Sequence, residues 1–244
     1  MFDAVKIKDK VINWVRSYFE ENGKGCRAVI GISGGKDSSV TAAICAQALG
    51  PGNVTGVLLP CGFQHDIGYS QELVSHLGIN QYTINIKECV DSLVKSVNEC
   101  GLSVNKQASV NTPARIRMAA LYAVSAIVNG RVANTCNLSE DWIGYSTKYG
   151  DAAGDFSPLS QLTVTEVKLI GRELALPSKF IDKTPEDGLS GLSDEENIGF
   201  SYDVLDRYIR EGICEDIKIR EKIDLLHKIN MHKLKLMPGF SPEI

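Results

Sequence analysis

Near its amino end the chain carries a run of small and polar residues that could bind an anion: Gly31-Ile32-Ser33-Gly34-Gly35-Lys36-Asp37-Ser38-Ser39, directly after the apolar residues 28–30. Glycines let a backbone approach a ligand closely, and the free amide groups at the start of a helix bind negative charge. The run therefore predicts a phosphate cradle between a strand and a helix that starts near Ser38. It is not a Walker A loop, in which four residues separate the first glycine from Gly-Lys-Ser/Thr, so an ordinary kinase or GTPase site is not expected.

Alternating apolar segments must position this cradle. The spacing of apolar residues predicts strands over 28–32, 54–59, 81–84 and 131–135. Between and around them it predicts helices over 4–21, 38–49, 67–77, 86–100 and 113–128. Strands that alternate with helices of this length favour an α/β fold, a doubly wound and mostly parallel sheet flanked by helices. Ligands bind such sheets at the carboxyl ends of the strands, where residues 33, 60 and 134–135 are expected to meet.

The second half of the chain is less regular. Residues 149–155 form a loop of small and acidic residues, and 182–197 form a polar segment with glycine and proline. Such loops beside a site are candidate lids or binding loops. Further helices are predicted over 164–174, 202–210 and 215–229.

Composition narrows the class of protein. A length of 244 residues with 43% hydrophobic and 23% charged residues favours one α/β domain over 1–244. A net charge of −4 gives no reason to expect a nucleic-acid partner. The seven cysteines are an odd number without a C-x-x-C pair, which disfavours disulfides and zinc and favours reduced thiols. No signal peptide and no apolar run of about 18 residues is found, so a cytoplasmic protein with no membrane partner is expected.

Five segments together carry a family resemblance. Ser-Gly-Gly-x-Asp-Ser resembles the PP-loop of ATP pyrophosphatases, which cleave ATP between the α- and β-phosphates, although such a run alone also arises as a structural turn. The other segments are Thr112-Pro113-Ala114-Arg115-Ile116-Arg117-Met118, Thr135-Cys136-Asn137-Leu138-Ser139-Glu140, Gly144-Tyr145-Ser146-Thr147-Lys148-Tyr149-Gly150-Asp151 with Asp155 and Pro158, and Ser193-Asp194-Glu195-Glu196-Asn197-Ile198-Gly199 with Tyr202. In this order and spacing the chain resembles the ammonia-dependent NAD synthetases over nearly its whole length.

The resemblance implies an adenine-nucleotide α-hydrolase-like fold and a C–N bond-forming ligase. In that reaction the carboxylate of deamido-NAD attacks ATP, pyrophosphate leaves, and ammonia displaces AMP from the acyl adenylate to give NAD. No residue is expected to act as a covalent nucleophile, and the cofactor implied is Mg²⁺, with ATP as co-substrate.

The resemblance also assigns residues to ligands. The ATP-binding residues it implies are Gly31, Ser33, Gly34, Gly35, Lys36, Asp37, Ser38 and Thr135. Asp37 and Glu140 match the family's magnesium ligands, against the alternatives of a helix cap and a solvated carboxylate. The residues implied for deamido-NAD are Arg115, Lys148, Asp155, His232 and Lys233; taken singly, each could instead be a surface ion pair or a turn residue.

Partners follow from the same resemblance. The substrates expected are ATP, deamido-NAD and free ammonia, because a chain of this length has no room for the glutaminase domain of glutamine-dependent relatives. A homodimer is also implied.

Two positions depart from the family pattern. Val164 stands where the family has a lysine that touches phosphates, and Glu186 stands where it has a hydroxyl residue. Lys36 and Lys183 could return the missing positive charge, and we favour Lys183. These departures leave two alternatives open: a PP-loop ligase that acts on a different carboxylate, or a catalytically weakened nucleotide-binding homologue.

Overall fold

A computed structural model describes residues 2–182, 193–235 and 237–241. Its strands are β1 (Arg27–Gly31), β2 (Val54–Leu58), β3 (Asn80–Thr83) and β4 (Gly130–Val132). Its helices are α1 (Ala4–Asn22), α2 (Lys36–Leu49), α3 (Ile67–Leu77), α4 (Lys87–Glu99), α5 (Lys106–Val128), α6 (Leu138–Ile143), α7 (Val164–Glu173), α8 (Ser178–Ile181), α9 (Asp194–Ile198), α10 (Tyr202–Glu211) and α11 (Ile217–Leu234). A 3₁₀ turn, Pro51–Asn53, precedes β2.

The strands pair in the order β3-β2-β1-β4, and every pair in this sheet is parallel. Ala28 of β1 lies opposite Val54 on one side and Arg131 on the other. The order confirms the predicted α/β class with a parallel sheet. It also places the end of β1, where the cradle begins, at the centre of the sheet between the ends of β2 and β4.

Helices cover both faces of the sheet because successive strand residues point to opposite sides. Ile30 of β1 and Leu58 of β2 pack with α1, α2, α3 and α7 on one face. Val29 and Val57 pack with α4 and α5 on the other. The near-continuous apolar runs of β1 and β2 are therefore explained by burial on two sides.

A third apolar cluster lies outside the sheet and joins α6, α7, α10 and α11. Its buried members are Ile143, Val164, Ile198, Phe200, Tyr202, Leu205 and Ile223. Val164 is thus a core residue at the start of α7, and its amide N donates to the Ser139 hydroxyl at 3.0 Å. This packing explains why the position holds an apolar side chain.

Several boundaries differ from the prediction, among them the end of α11, which lies at Leu234 rather than at residue 229. Helix α2 begins at Lys36 rather than near Ser38, so Lys36 and Asp37 belong to its first turn. Helix α5 begins at Lys106, and Pro113, predicted as its start, lies inside it. The Asn105 side chain caps α5 by accepting from the amide N of Ala108, which starts the helix well before the proline. Strand β4 ends at Val132, three residues earlier than predicted.

None of the helices that the structure describes combines the length and the apolar character needed to cross a membrane. Lys183 and Glu186, and most of the 182–197 segment, lie outside the described residues.

Candidate active site

The cradle is a turn held together by serine hydroxyls. The Ser38 hydroxyl accepts from the amide N of Ser33 at 3.3 Å and donates to the carbonyl O of Gly35 at 3.2 Å. The Ser33 hydroxyl lies 3.0 Å from that of Ser38 and accepts from the amide N of Gly35 at 3.2 Å. Gly35 is the N-cap of α2, and no side chain caps this helix start. The first amide groups of α2 therefore face the end of β1 without a capping oxygen, as an anion site requires.

Gly34 has the backbone conformation that only this residue type adopts easily, with φ at +77°. A Cβ at this position would come within 3.1 Å of the amide N and the hydroxyl of Ser70 in α3. The Ser70 hydroxyl is buried and has no hydrogen-bond partner among the described residues. The close approach of α3 fixes the loop, and it makes Ser70 a site residue that the sequence did not suggest.

Lys36 and the two predicted metal ligands meet beside this loop. The Lys36 Nζ lies 2.8 Å from Asp37 Oδ2 and 3.6 Å from Glu140 Oε1, and only 3% of the lysine side chain is exposed. Asn137, which is fully buried, bonds the carboxyl group of Asp37 and the backbone of Glu140. Its amide donates to Asp37 Oδ1 at 3.0 Å, and its oxygen accepts from the amide N of Glu140 at 3.0 Å. The cradle after β1 and the segment after β4 thus form one site.

The charges of these groups are strongly perturbed. Burial and the negative charge of Asp37 raise the pKa of Glu140 to about 8, although Lys36 opposes the shift. Burial alone would lower the pKa of Lys36, but Asp37 and Glu140 outweigh it and raise that pKa. Burial and the neighbouring carboxylate thus oppose the negative charge of Glu140, whereas attraction to both carboxyl groups holds the positive charge of Lys36.

The donor set suits a magnesium ion that is shared with a ligand. Among the described residues, no three His, Cys, Asp or Glu side chains converge on one metal position. Asp37 and Glu140 do converge on one positive charge, the Lys36 ammonium. Magnesium is commonly held by one or two carboxylates plus phosphate oxygens and water. The two carboxyl groups therefore fit such an ion only when phosphates complete its shell.

Tyr202 faces the same carboxyl groups from α10. Its ring centroid lies 5.6 Å from the Lys36 Nζ, and 4% of the residue is exposed. Its hydroxyl is buried without a hydrogen-bond partner among the residues the structure describes. Burial and the charges of Glu140 and Asp194 raise the pKa of Tyr202, which therefore stays neutral. The sequence offered Tyr202 only as part of a family segment and gave no signal of this contact.

Four of the five residues predicted for deamido-NAD lie together. Arg115 Nε donates to the carbonyl O of Lys148 at 3.2 Å, and Lys148 Nζ donates to the carbonyl O of His232 at 2.7 Å. Lys233 Nζ donates to the carbonyl O of Gly144 and, at 3.1 Å, to that of Ser146. The predicted residues from α5, the 144–148 loop and α11 thus form one basic cluster in which the lysines brace the loop against α11.

Asp155 lies elsewhere in the site. Its Oδ2 accepts from the amide N of Val132 in β4 at 2.7 Å, and its Oδ1 accepts from the Tyr122 hydroxyl at 3.1 Å. It lines an open cavity of about 310 Å³ together with Tyr122, Ser125, Ala126, Asn129, Gly130 and Arg131. The structure thus separates Asp155 from the basic cluster, and its role in binding stays a prediction.

Thr135 and Arg117 complete the edge of the sheet. Thr135 follows the isolated bridge between Ala133 and Phe156 and is half-buried. Arg117, which the sequence gave no role, donates from Nε to the carbonyl O of Leu59 at 3.0 Å. Burial lowers the pKa of Arg117, although Cys61 and Asp151 oppose the shift. A half-buried guanidinium beside the end of β2 adds positive charge where anionic ligands would lie.

A parallel sheet with a Ser-Gly-Gly-x-Asp-Ser loop after an internal strand is the arrangement of the PP-loop α/β fold. The model of the family described as NAD synthase matches residues 7–237. The NH(3)-dependent NAD(+) synthetase of Thermococcus sibiricus is 35% identical, over 99% of this chain and 98% of its own length. The chain therefore belongs to the NAD synthase family, and it is a ligase.

Solved structures agree on the fold. A protein described as NMN synthetase from Francisella tularensis superimposes with a TM-score of 0.90 at 31% identity, and the match covers 100% of both chains. The NH3-dependent NAD synthetase from Campylobacter jejuni superimposes with a TM-score of 0.80 at 27% identity, over 98% of this chain and 100% of that one. Both likenesses extend over nearly the whole chain.

Proposed function

We propose that this protein amidates deamido-NAD to NAD, with ATP as the activating co-substrate and ammonia as the nitrogen donor. The single observation that carries the proposal is the hydrogen bond from Asn137 to Asp37. It joins the phosphate cradle to the segment after β4, which continues into the basic cluster of Arg115, Lys148, His232 and Lys233. One site can therefore hold ATP beside a second anionic substrate.

The chemistry needs alignment and charge neutralisation rather than a protein nucleophile. A carboxylate oxygen of the substrate attacks the α-phosphorus of ATP, and the bond to the β-phosphate bridge breaks so that pyrophosphate leaves. The nitrogen of ammonia then attacks the acyl carbon, AMP leaves with the electrons of the acyl C–O bond, and the nitrogen loses a proton. Amide groups of the cradle and the helix dipole of α2 would stabilise the negative charge that builds up on the leaving pyrophosphate.

Residue roles follow from this placement. The cradle residues 31, 33–35 and 38 would bind the phosphates of ATP, with Thr135 at the neighbouring strand end. Asp37 and Glu140 would hold Mg²⁺, which when bound neutralises phosphate charge. The basic cluster would bind the phosphates and the carboxylate of deamido-NAD, and Asp155 a polar group of the same substrate.

We infer a cytoplasmic homodimer that uses free ammonia as the nitrogen donor. The family resemblance implies the dimer, and three large side chains of α1 and α5 are exposed and available for such a contact, namely Trp14, Tyr122 and Ile127.

A second candidate substrate is the nicotinate mononucleotide, which the same chemistry would convert to NMN. One observation favours it: the superposition on the Francisella tularensis NMN synthetase has the higher TM-score, 0.90 against 0.80 for the Campylobacter jejuni NAD synthetase. Val164, where the family resemblance implies a lysine, also sets this chain apart from that pattern.

The test is a product assay with the purified full chain, ATP, Mg²⁺ and ammonium. Parallel reactions contain deamido-NAD or nicotinate mononucleotide, and NAD, NMN and AMP are separated by chromatography. AMP release that requires both ammonium and deamido-NAD, with the higher kcat/KM on deamido-NAD, supports the first candidate, whereas the reverse ratio supports the second. Nucleotide binding without AMP release on either substrate would contradict both and favour a weakened homologue.

A further inference from the structure

The Lys36 ammonium occupies the position from which a metal would contact the two acidic side chains. It lies 2.8 Å from Asp37 Oδ2 and 3.6 Å from Glu140 Oε1. It is enclosed, with 3% of the side chain exposed, and Tyr202 covers it with its ring. A cation buried in this way is held by the surrounding charge rather than by solvent.

A divalent ion and this ammonium compete for the same oxygen atoms. A metal that binds Asp37 and Glu140 would stand within a few ångströms of Lys36, and like charges at that distance repel strongly in a site with little water. To leave, the ammonium needs another anion. Nucleotide phosphates in the cradle would supply it, because Lys36 is the first residue of α2 and lies directly after Gly35.

A second, independent feature indicates that the pocket is built to receive a further group. The Tyr202 hydroxyl is buried at the same carboxyl groups, and no described residue bonds it. Buried polar groups are almost always hydrogen-bonded, so a group left without a partner marks a place that a ligand completes. The oxygen of a phosphate or of a metal-bound water suits this donor.

We propose that the Lys36 ammonium blocks the binding of free divalent metal to Asp37 and Glu140. It leaves these two side chains only when the metal arrives together with nucleotide phosphates. The inference rests on the proposed function, where these two side chains are assigned to the metal. It makes Lys36 a positioning residue that orders the binding of metal and nucleotide.

The experiment measures Mn²⁺ binding to the nucleotide-free full chain at one fixed pH, by electron paramagnetic resonance of free Mn²⁺. The variants are Lys36→Gln, Lys36→Met and the control Lys222→Gln. Lys222 is an exposed lysine of α11 whose Nζ lies 5.9 Å from the Phe200 ring centroid, so its loss removes a similar charge without opening the acidic pair. Both Lys36 variants should bind Mn²⁺ at least about tenfold more tightly than the wild type, and Lys222→Gln should not.

Addition of the non-hydrolysable α,β-methylene-ATP should tighten Mn²⁺ binding by the wild type much more than by the Lys36 variants. Equal nucleotide-free affinities of the wild type and the Lys36 variants would overturn the proposal. A wild-type dissociation constant below about 0.1 mM without nucleotide would overturn it even if the variants fail to fold.

These outcomes are separate from the product assay. If the wild type makes NAD or NMN normally and binds Mn²⁺ as tightly as the Lys36 variants do, only the role of Lys36 is refuted. If Lys36→Gln binds Mn²⁺ more tightly than the wild type but the wild type forms neither product, only the proposed function is refuted.

Discussion

The Gly144→Ala substitution tests whether α11 holds the 144–148 loop in place. Gly144 ends α6 with φ at +66°, and an added Cβ would lie 2.1 Å from the Cβ of Asn230 in α11. Asn230 donates to the carbonyl O of Ile143 at 3.0 Å, and Lys233 donates to that of Gly144. The substitution therefore pushes the loop away from the helix at the point where both bonds form.

The expected loss of stability has two parts. An alanine in the left-handed conformation costs about 1–2 kcal/mol. Relief of a contact this short requires a shift of the helix or the loop, and overpacking of this kind costs about 1–3 kcal/mol. The free energy of unfolding should fall by about 2–5 kcal/mol. Because Lys148 would move with the loop and away from Lys233 on α11, the KM for the deamidated substrate should rise while the KM for ATP changes little.

Gly78→Ala is the matched control. Gly78 ends α3 in the same conformation, with φ at +63°, and an added Cβ there has nothing within 4 Å. Urea denaturation of both variants separates the steric part from the backbone strain, and steady-state kinetics measure the two KM values. Equal losses of stability in the two variants, or a KM for the deamidated substrate that does not change in Gly144→Ala, would refute the reasoning.

Three further predictions concern single side chains. Tyr202→Phe removes a buried hydroxyl that has no partner among the described residues. Thermal denaturation without nucleotide should therefore show a protein more stable by about 1 kcal/mol, and the KM for ATP should rise. A less stable protein would contradict this prediction. Asn137→Ala removes the cap of α6 and the contact to Asp37. The free energy of unfolding should fall by about 2 kcal/mol, and kcat/KM should fall as well. Unchanged values of both would show that Asn137 neither caps α6 nor positions Asp37. Burial and Asp151 raise the pKa of Asp141 from 3.8 to about 6, so its ionisation destabilises the folded state, and the contribution of this side chain to stability should fall as the pH rises from about 4 to about 6. Asp141→Asn should remove that loss and be more stable than the wild type by about 1–2 kcal/mol at pH 8 but not at pH 4, as measured by urea denaturation.

The layout of the sheet was predictable because local patterns determine it. The apolar runs of β1 and β2 and the helices between them give a parallel sheet, and the glycine–serine loop lies at the predicted strand end, directly after β1. The predicted start of α5 at Pro113 is wrong, although proline is typical of the first residue of a helix. The Asn105 cap, eight residues earlier along the chain, decides the boundary instead.

Within the site, the identities of the residues were easier to predict than their partners. Lys36 was expected to face phosphates, and its enclosure by Asp37 and Glu140 depends on a contact between segments that are 104 positions apart in the chain. Lys148 similarly binds a carbonyl group 84 residues away. Pairings of this kind arise from the packing of α6, α10 and α11, for which the sequence gave only separate helical patterns, and α6 itself was too short to be recognised.

The hydrogen bonds between the 144–148 loop and α11 join two segments that are synthesised at different times. The cradle, β1 and α2 leave the ribosome long before residues 230–233, and a domain generally folds as a unit. The loop for the second substrate therefore acquires Lys233 and Asn230 as partners only at the end of synthesis. Activation of a carboxylate would then have to wait until α11 has been made.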